Sequence, residues 1–360
     1  MATAPALTDL LRMNAENAKG GSSYASNSSL QKRVILKSRP VMEDSLKDML
    51  GNRTFPSCIK VADLGCSSGP TAFMAVSEVI KIIYEICKEQ NRKLPEFQVC
   101  LNDLAGNDFN AVFRSAPAFC EGLKRDMAAE CYVSGVPGSF YDRIFPSNTL
   151  QFAHSSYSLH WLSQVPENLE NNKRNIYIGK SSPPDVFKAY KEQFKKDFSK
   201  FLGLRSEEMT SGGRMVLSFM GRSVEDPTGK ECCFMWEILS KSLLDLVSEG
   251  LVEEADVESF NLPFYTAYKG EVREIVEEEG SFAIDKLDSI ELIMGNDVTL
   301  AEKSQRLARS ARAVSEWLVA NRFGNNIVDK LYGRFEGIAA DKFSVENVKF
   351  VNIIVSMTKK

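Results

Sequence analysis

Ile59-Lys60-Val61-Ala62-Asp63-Leu64-Gly65-Cys66-Ser67-Ser68-Gly69-Pro70 decides how the chain folds. An apolar run stops at a turn of small residues. Residues 71–90 then place Phe73, Val76, Val79, Ile80, Ile83 and Ile86 at helical spacing. Apolar strand, glycine turn and amphipathic helix make the first half of a β-α-β unit. Gly65 and Gly69 let the backbone turn sharply and approach a ligand closely, and the helix start offers unpaired N–H groups. Asp63 sits at the carboxyl end of the strand, the usual ligand crevice of an open α/β sheet. The spacing Asp-Leu-Gly-x-x-x-Gly is not the Gly-x-Gly-x-x-Gly of a dinucleotide site.

Outward from this unit the pattern repeats. Residues 97–101 read as a second strand ending in Asn102-Asp103-Leu104, with Asp103 where a ribose could be hydrogen-bonded. A third short strand runs into Val136-Pro137-Gly138-Ser139-Phe140-Tyr141, whose Pro-Gly marks a turn. Residues 150–155 form a fourth and lead into Ser156-Tyr157-Ser158-Leu159-His160-Trp161-Leu162-Ser163, which puts one of the two histidines beside a tryptophan past a strand end. That His–Trp pair reads equally well as packing or as part of a site. Residues 214–219, 280–293 (with a turn) and 348–357 complete seven strands. Helical spacing occupies 30–50, 186–202, 234–249, 253–257, 271–278, 304–320 and 327–340, with a further short helix at 5–12. No glycine or proline linker divides the chain. The expectation is one α/β domain over 1–360, its sheet of about seven strands carrying a helical cap formed mainly by 225–275 and 300–325.

Composition excludes several classes. At 360 residues, 44% apolar and 26% charged, the chain can bury a core without staples. A formal charge of −4 argues against a nucleic-acid surface. No apolar run approaches a membrane-spanning length, and residues 1–13 lack a signal pattern. The eight cysteines form no Cys-x-x-Cys pair and no Cys/His cluster. They read as reduced thiols in the cytoplasm, without a structural zinc site.

Five stretches occur in order: Ser23-Tyr24-Ala25-x-Asn27-Ser28-x-x-Gln31, Ala62 to Pro70, Leu101-Asn102-Asp103-Leu104-x-Gly106-Asn107-Asp108-Phe109-Asn110, Pro137 to Tyr141, and His154 to Ser163. Together they resemble the plant SABATH methyltransferases, which act on carboxyl groups of salicylate, benzoate and jasmonate or on ring nitrogens of xanthine alkaloids. The resemblance implies a Rossmann-like class I methyltransferase fold with a helical cap, a lid from about residues 1–30, and a homodimer. It implies S-adenosylmethionine as cofactor and S-adenosylhomocysteine as product. Tyr24, Asp63, Gly65, Asp103, Leu104, Ser139 and Phe140 would line the cofactor site, with Ser155 and Tyr157 beside cofactor and substrate. Gln31 and Trp161 match the pair that hydrogen-bonds a substrate carboxylate. His160 stands at a selectivity position, Met235, Trp236 and Phe350 would form apolar walls, and Ala311 would widen the pocket. Some members carry a divalent cation such as magnesium at positions matching Asn172, Glu258, Phe260 and Asn261. Two departures stand out: Gly69-Pro70-Thr71 replaces the usual Gly-Pro-Asn, and the loop between Met13 and Tyr24 is longer.

Methyl transfer from a sulfonium is a displacement whose donor brings its own leaving group. An acceptor carboxylate is already ionised near pH 7, its pKa lying about three units lower, so no general base is needed. Placement of the oxygen in line with the methyl carbon can supply roughly 7–11 kcal/mol. A Gln amide and a Trp N–H orient an anion without neutralising it. These arguments favour carboxyl O-methylation of a small aromatic acid. N-methylation of a xanthine is the alternative, motivated by His160, Ala311 and Asp226-Pro227-Thr228, with His160 or Tyr157 assisting proton loss. A ligand-binding protein without catalysis is the third reading.

Overall fold

The structure is a computed structural model and describes residues 11, 13, 23–51, 56–68, 70–293, 299–343 and 349–360. All but Leu11 of the short helix expected at 5–12, most of the N-terminal lid and Gly69 lie outside the described residues, as does the first residue of the expected last strand.

A four-residue helix α1 (Tyr24–Asn27), capped by the Ser23 side chain, is followed by α2 (Ser29–Gly51). Strand β1 (Cys58–Leu64) is buried at every position after Lys60, because both faces of the sheet are covered there. A 3-10 turn (Pro70–Phe73) then leads into α3 (Met74–Glu89), so the helix expected from residue 71 starts one tight turn late. Strand β2 (Glu96–Asp103), helix α4 (Phe109–Met127), β3 (Cys131–Pro137) and β4 (Leu150–Ser156) follow. The sequence pattern assigns no helix where α4 lies. It buries only Ala111, Val112 and Leu123 and carries Pro117 inside, and its start is set by the Asp108 side chain accepting from the Ala111 N–H at 2.9 Å.

Helix α5 (Pro184–Glu208) lays Phe194 and Phe198 against β5 (Met209–Arg222), with their rings 6.4 and 6.1 Å from that of Phe219. Then come α6 (Lys230–Ser248), α7 (Glu254–Glu258), a two-residue β6 (Ala267–Tyr268), α8 (Lys269–Glu279) and β7 (Phe282–Ile293). Strand β6 is too short to show a period of two in sequence. The turn expected inside 280–293 is a register irregularity between Ile284 and Lys286, and the strand continues through it. A capping box of Thr299 and Glu302 opens α9 (Leu300–Phe323), and α10 (Val328–Phe343) and β8 (Lys349–Lys359) end the chain.

The sheet runs β3-β2-β1-β4-β5-β8-β7, with β6 attached to β5. Pairing is parallel from β3 to β5 and antiparallel from β5 through β8 to β7. Chain order reverses between β1 and β4, and this switch point is where an open α/β sheet forms a crevice at its carboxyl edge. One apolar core joins α2 and α3 to the sheet; a second, larger one lies between the other face, α5 and the helices above it. Helix α10 packs on both α6 and α9, so 328–343 lies with the helices of the cap expected mainly from 225–275 and 300–325. Helix α8 instead packs on α5 and β7, at the sheet.

Candidate active site

The carboxyl ends of β1, β2 and β3 are stitched into one surface. Gly65 has φ +80°, and a Cβ there would lie 2.0 Å from Ser158 Oγ, so only glycine fits the turn. The N–H groups of Gly65 and Cys66 both donate to the Asn102 carbonyl at 2.9 Å. Asn102 Nδ2 in turn donates to the carbonyls of Val136 (2.8 Å) and Gly138 (2.9 Å). Asp103 accepts from Ser67 N–H at 2.6 Å and from Leu104 N–H at 2.8 Å. Burial pushes the Asp103 carboxyl up to about 6, against the lowering effect of these two bonds. Asn102 stands in the strand-end motif of the sequence, but nothing local there assigns it this bracing role.

Three chambers open from this surface, and Tyr24 is in the wall of each. The first is lined by Gly65, Ser67, Asp103, Leu104, Ser139 and Phe140, together with Tyr157, Ser158 and Trp161. The second lies beside it, shares Gly65 and Ser67, and adds Asp63, Lys32, Ser28, His154 and Ser156. The third is walled by Gln31, Tyr157, His160, Trp161, Met235, Trp236 and Phe350. Met220, Phe264, Leu307, Ser310 and Val314 are also in its wall. These five were not singled out from sequence, because nothing in a local pattern says which side of a buried strand or helix faces a cavity.

The third chamber is aromatic and mostly apolar. Trp161 meets Trp236 and Phe264 edge-on, with ring centroids 6.2 and 5.3 Å apart. Its segment is pinned from several directions: Tyr141 Oη donates to the Trp161 carbonyl at 2.8 Å, and Ser163 N–H and Oγ donate to Asp197 at 2.8 and 2.6 Å. Tyr157 adopts φ +62°, an unusual conformation for an aromatic residue and one found at sites where the fold over-determines it. His160 Nδ1 accepts from the Met220 N–H at 3.3 Å, which places the ring proton on Nε2. Burial holds His160 down at about 3 and raises the phenols of Tyr24 and Tyr157. Ser67 Oγ and His154 Nε2 are buried without a hydrogen-bond partner, although both residues belong to the wall of the second chamber. Buried orphans gathered in one place mark where a ligand completes the bonding.

The family profile described as "SAM dependent carboxyl methyltransferase" matches residues 9–360. The chain belongs to that family. Among similar proteins, the S-adenosyl-L-methionine:benzoic acid/salicylic acid carboxyl methyltransferase 3 of Petunia hybrida is 45% identical over 356 residues, covering 98% of this chain and 99% of that protein. The salicylate/benzoate carboxyl methyltransferase of Arabidopsis thaliana is 46% identical over 344 residues, covering 95% and 91%. A solved loganic acid methyltransferase with SAH is 32% identical, covers 97% of this chain and 98% of that one, and superposes with a TM-score of 0.86. The chain is therefore a methyltransferase that uses S-adenosylmethionine, on a class I Rossmann-like fold.

The residues of the methyltransferase fit that cofactor. A nucleoside requires an acceptor at the end of β2, a backbone turn without a Cβ and an apolar wall, and Asp103, Gly65 and Phe140 provide them. Two expected site residues sit elsewhere. Ser155 is fully buried and its hydroxyl donates to the Leu64 carbonyl at 2.8 Å, because strand alternation turns His154 and Ser156, not Ser155, toward the second chamber. Ala311 is fully buried outside the walls of the third chamber, which α9 lines with Leu307, Ser310 and Val314. The Thr71 side chain is outside the described residues.

The residues matched to a cation do not form an oxygen cage. Asn172 Nδ2 donates to Asn261 Oδ1 at 2.8 Å, Asn172 Oδ1 accepts from Ser182 Oγ at 2.6 Å, and Glu258 lies 3.9 Å from Lys173. Phe260 packs edge-on against Phe323. In this side-chain arrangement an amide NH2 is turned onto the second oxygen, where it repels a cation. Among the described residues, no three His, Cys, Asp or Glu side chains gather to hold a metal ion, and no helix is long and apolar enough to cross a membrane.

Proposed function

We propose that this methyltransferase esterifies the carboxylate of a small aromatic acid of the benzoate or salicylate type. One observation carries the choice over a xanthine nitrogen. The titratable groups in the acceptor chamber are Tyr24, Tyr157 and His160. His160 has its Nδ1 lone pair on the Met220 N–H and a basicity far below neutrality, and both phenols are raised. None can take a proton near pH 7, so the acceptor has to arrive already ionised.

Bound S-adenosylmethionine supplies an electrophilic methyl group and its own leaving group. The chain's part is placement. Gln31 and Trp161 donate to the carboxylate oxygens and aim one of them at the first chamber, while His160 Nε2–H adds a third neutral donor. Trp236 and Phe264 hold the ring flat, and the apolar walls keep water away from the reacting atoms. Neutral donors leave the oxygen its negative charge. The identities of the benzoate and salicylate methyltransferases that resemble this chain support the same acceptor class.

A transfer assay with methyl-labelled cofactor and a panel of benzoate, salicylate, jasmonate, xanthine and 7-methylxanthine tests the proposal. Base-labile product from the aromatic acids is expected; base-stable product from the xanthines alone would overturn it. The same resemblance supports a homodimer working in the cytoplasm, to be checked by light scattering and by imaging of the tagged protein.

A further inference from the structure

The second chamber has a buried histidine that the reaction does not use. β1 and β4 are paired with Asp63 opposite His154, at the switch point of the sheet. His154 is fully buried, and its Nδ1 lies 2.7 Å from Asp63 Oδ1. A carboxylate only accepts, so Nδ1–H is the donor. Nε2 has no partner. The imidazole grips one carboxylate oxygen through Nδ1–H and leaves the second oxygen for a ligand.

The cofactor's amino-acid end bears an ammonium and a carboxylate. Among the residues lining the second chamber, the carboxylate is Asp63 and the ammonium is Lys32, and the chamber joins the nucleoside chamber through Gly65 and Ser67. We infer that His154 is a positioning residue that holds Asp63 toward the α-ammonium of S-adenosylmethionine. The inference rests on Asp63 meeting the cofactor.

The test is a double-mutant cycle of Asp63→Asn and His154→Leu, read by calorimetric binding of S-adenosylhomocysteine, with His154→Asn as the conservative variant. His154→Leu is expected to weaken binding about tenfold, the scale of one lost hydrogen bond to a charged group. It should raise the KM for S-adenosylmethionine with kcat at saturating cofactor within about threefold. His154→Asn, whose amide can donate from the Nδ1 side, should recover most of the affinity. In the Asp63→Asn background the leucine change should cost almost nothing. An equal loss with and without the Asp63 carboxylate, or a kcat loss at unchanged KM, would overturn the positioning role. If Asp63→Asn alone leaves binding intact, the assignment of Asp63 has failed and the inference falls with it. Should His154→Leu not fold, the cycle is run with His154→Asn, whose additivity with Asp63→Asn would equally refute the coupling.

Discussion

Replacing Asp103 by Asn keeps the shape of the side chain and removes one acceptor. Its two oxygens take the Ser67 N–H at 2.6 Å and the Leu104 N–H at 2.8 Å, so an amide must turn its NH2 onto one of those donors. A buried donor left unpaired costs about 1–3 kcal/mol, and the bond to a cofactor hydroxyl weakens when its acceptor loses charge. The first cost falls on the stability of the free protein; the weakened cofactor bond, about 1.5–3 kcal/mol, corresponds to a loss of roughly 10- to 150-fold in affinity for S-adenosylhomocysteine. The wild-type carboxyl, raised to about 6 by burial, is ionised above that pH and loses its charge as pH falls through it. Calorimetry should then show wild-type affinity steady from pH 8 to 7 and falling about tenfold by pH 5, while the Asn variant is weak and flat throughout. Wild-type affinity that ignores pH, or an Asn variant within about threefold of wild type at pH 7.5, would refute the role given to this residue.

Three other outcomes follow from the same geometry. Trp161→Phe keeps the edge contacts to Trp236 and Phe264 and loses the indole donor; kcat/KM for the acid should fall roughly 10- to 150-fold, more than KM for the cofactor moves. Gly65→Ala puts a methyl on Ser158 Oγ at positive φ, so the melting temperature should drop, and adding Ser158→Gly should recover the clash but not the backbone cost of about 1–2 kcal/mol. Ser155→Ala breaks the bond to the Leu64 carbonyl, costing about 1 kcal/mol of stability with unchanged binding of S-adenosylhomocysteine; weakened binding would return Ser155 to the cofactor site.

Much of the sheet was legible because its middle strands are covered on both faces and therefore read as unbroken apolar runs. Strand-end motifs pointed to the chamber walls for a different reason: Asp63, Asp103 and Ser139-Phe140 are local in sequence and sit where an α/β topology opens a crevice. What escaped was set by tertiary direction. Helix α4 hides behind Pro117 and a sparse apolar face. Ser155 and Ala311 carry the right residue types, but strand alternation and helix rotation turn them away from the chambers. Met220 and Phe264 look like ordinary core positions until the roof closes over them, and His154 gains meaning only opposite Asp63, 91 positions away.

Proton release separates the acceptor classes most directly. Joining a carboxylate anion to the methyl of a sulfonium cation gives a neutral ester and a neutral thioether, and no proton leaves; methylating an N–H or a hydroxyl must expel one. In weakly buffered solution with an indicator dye, a chamber that holds no base predicts methyl ester accumulating with no acid released per turnover. One proton per methyl transferred would contradict it.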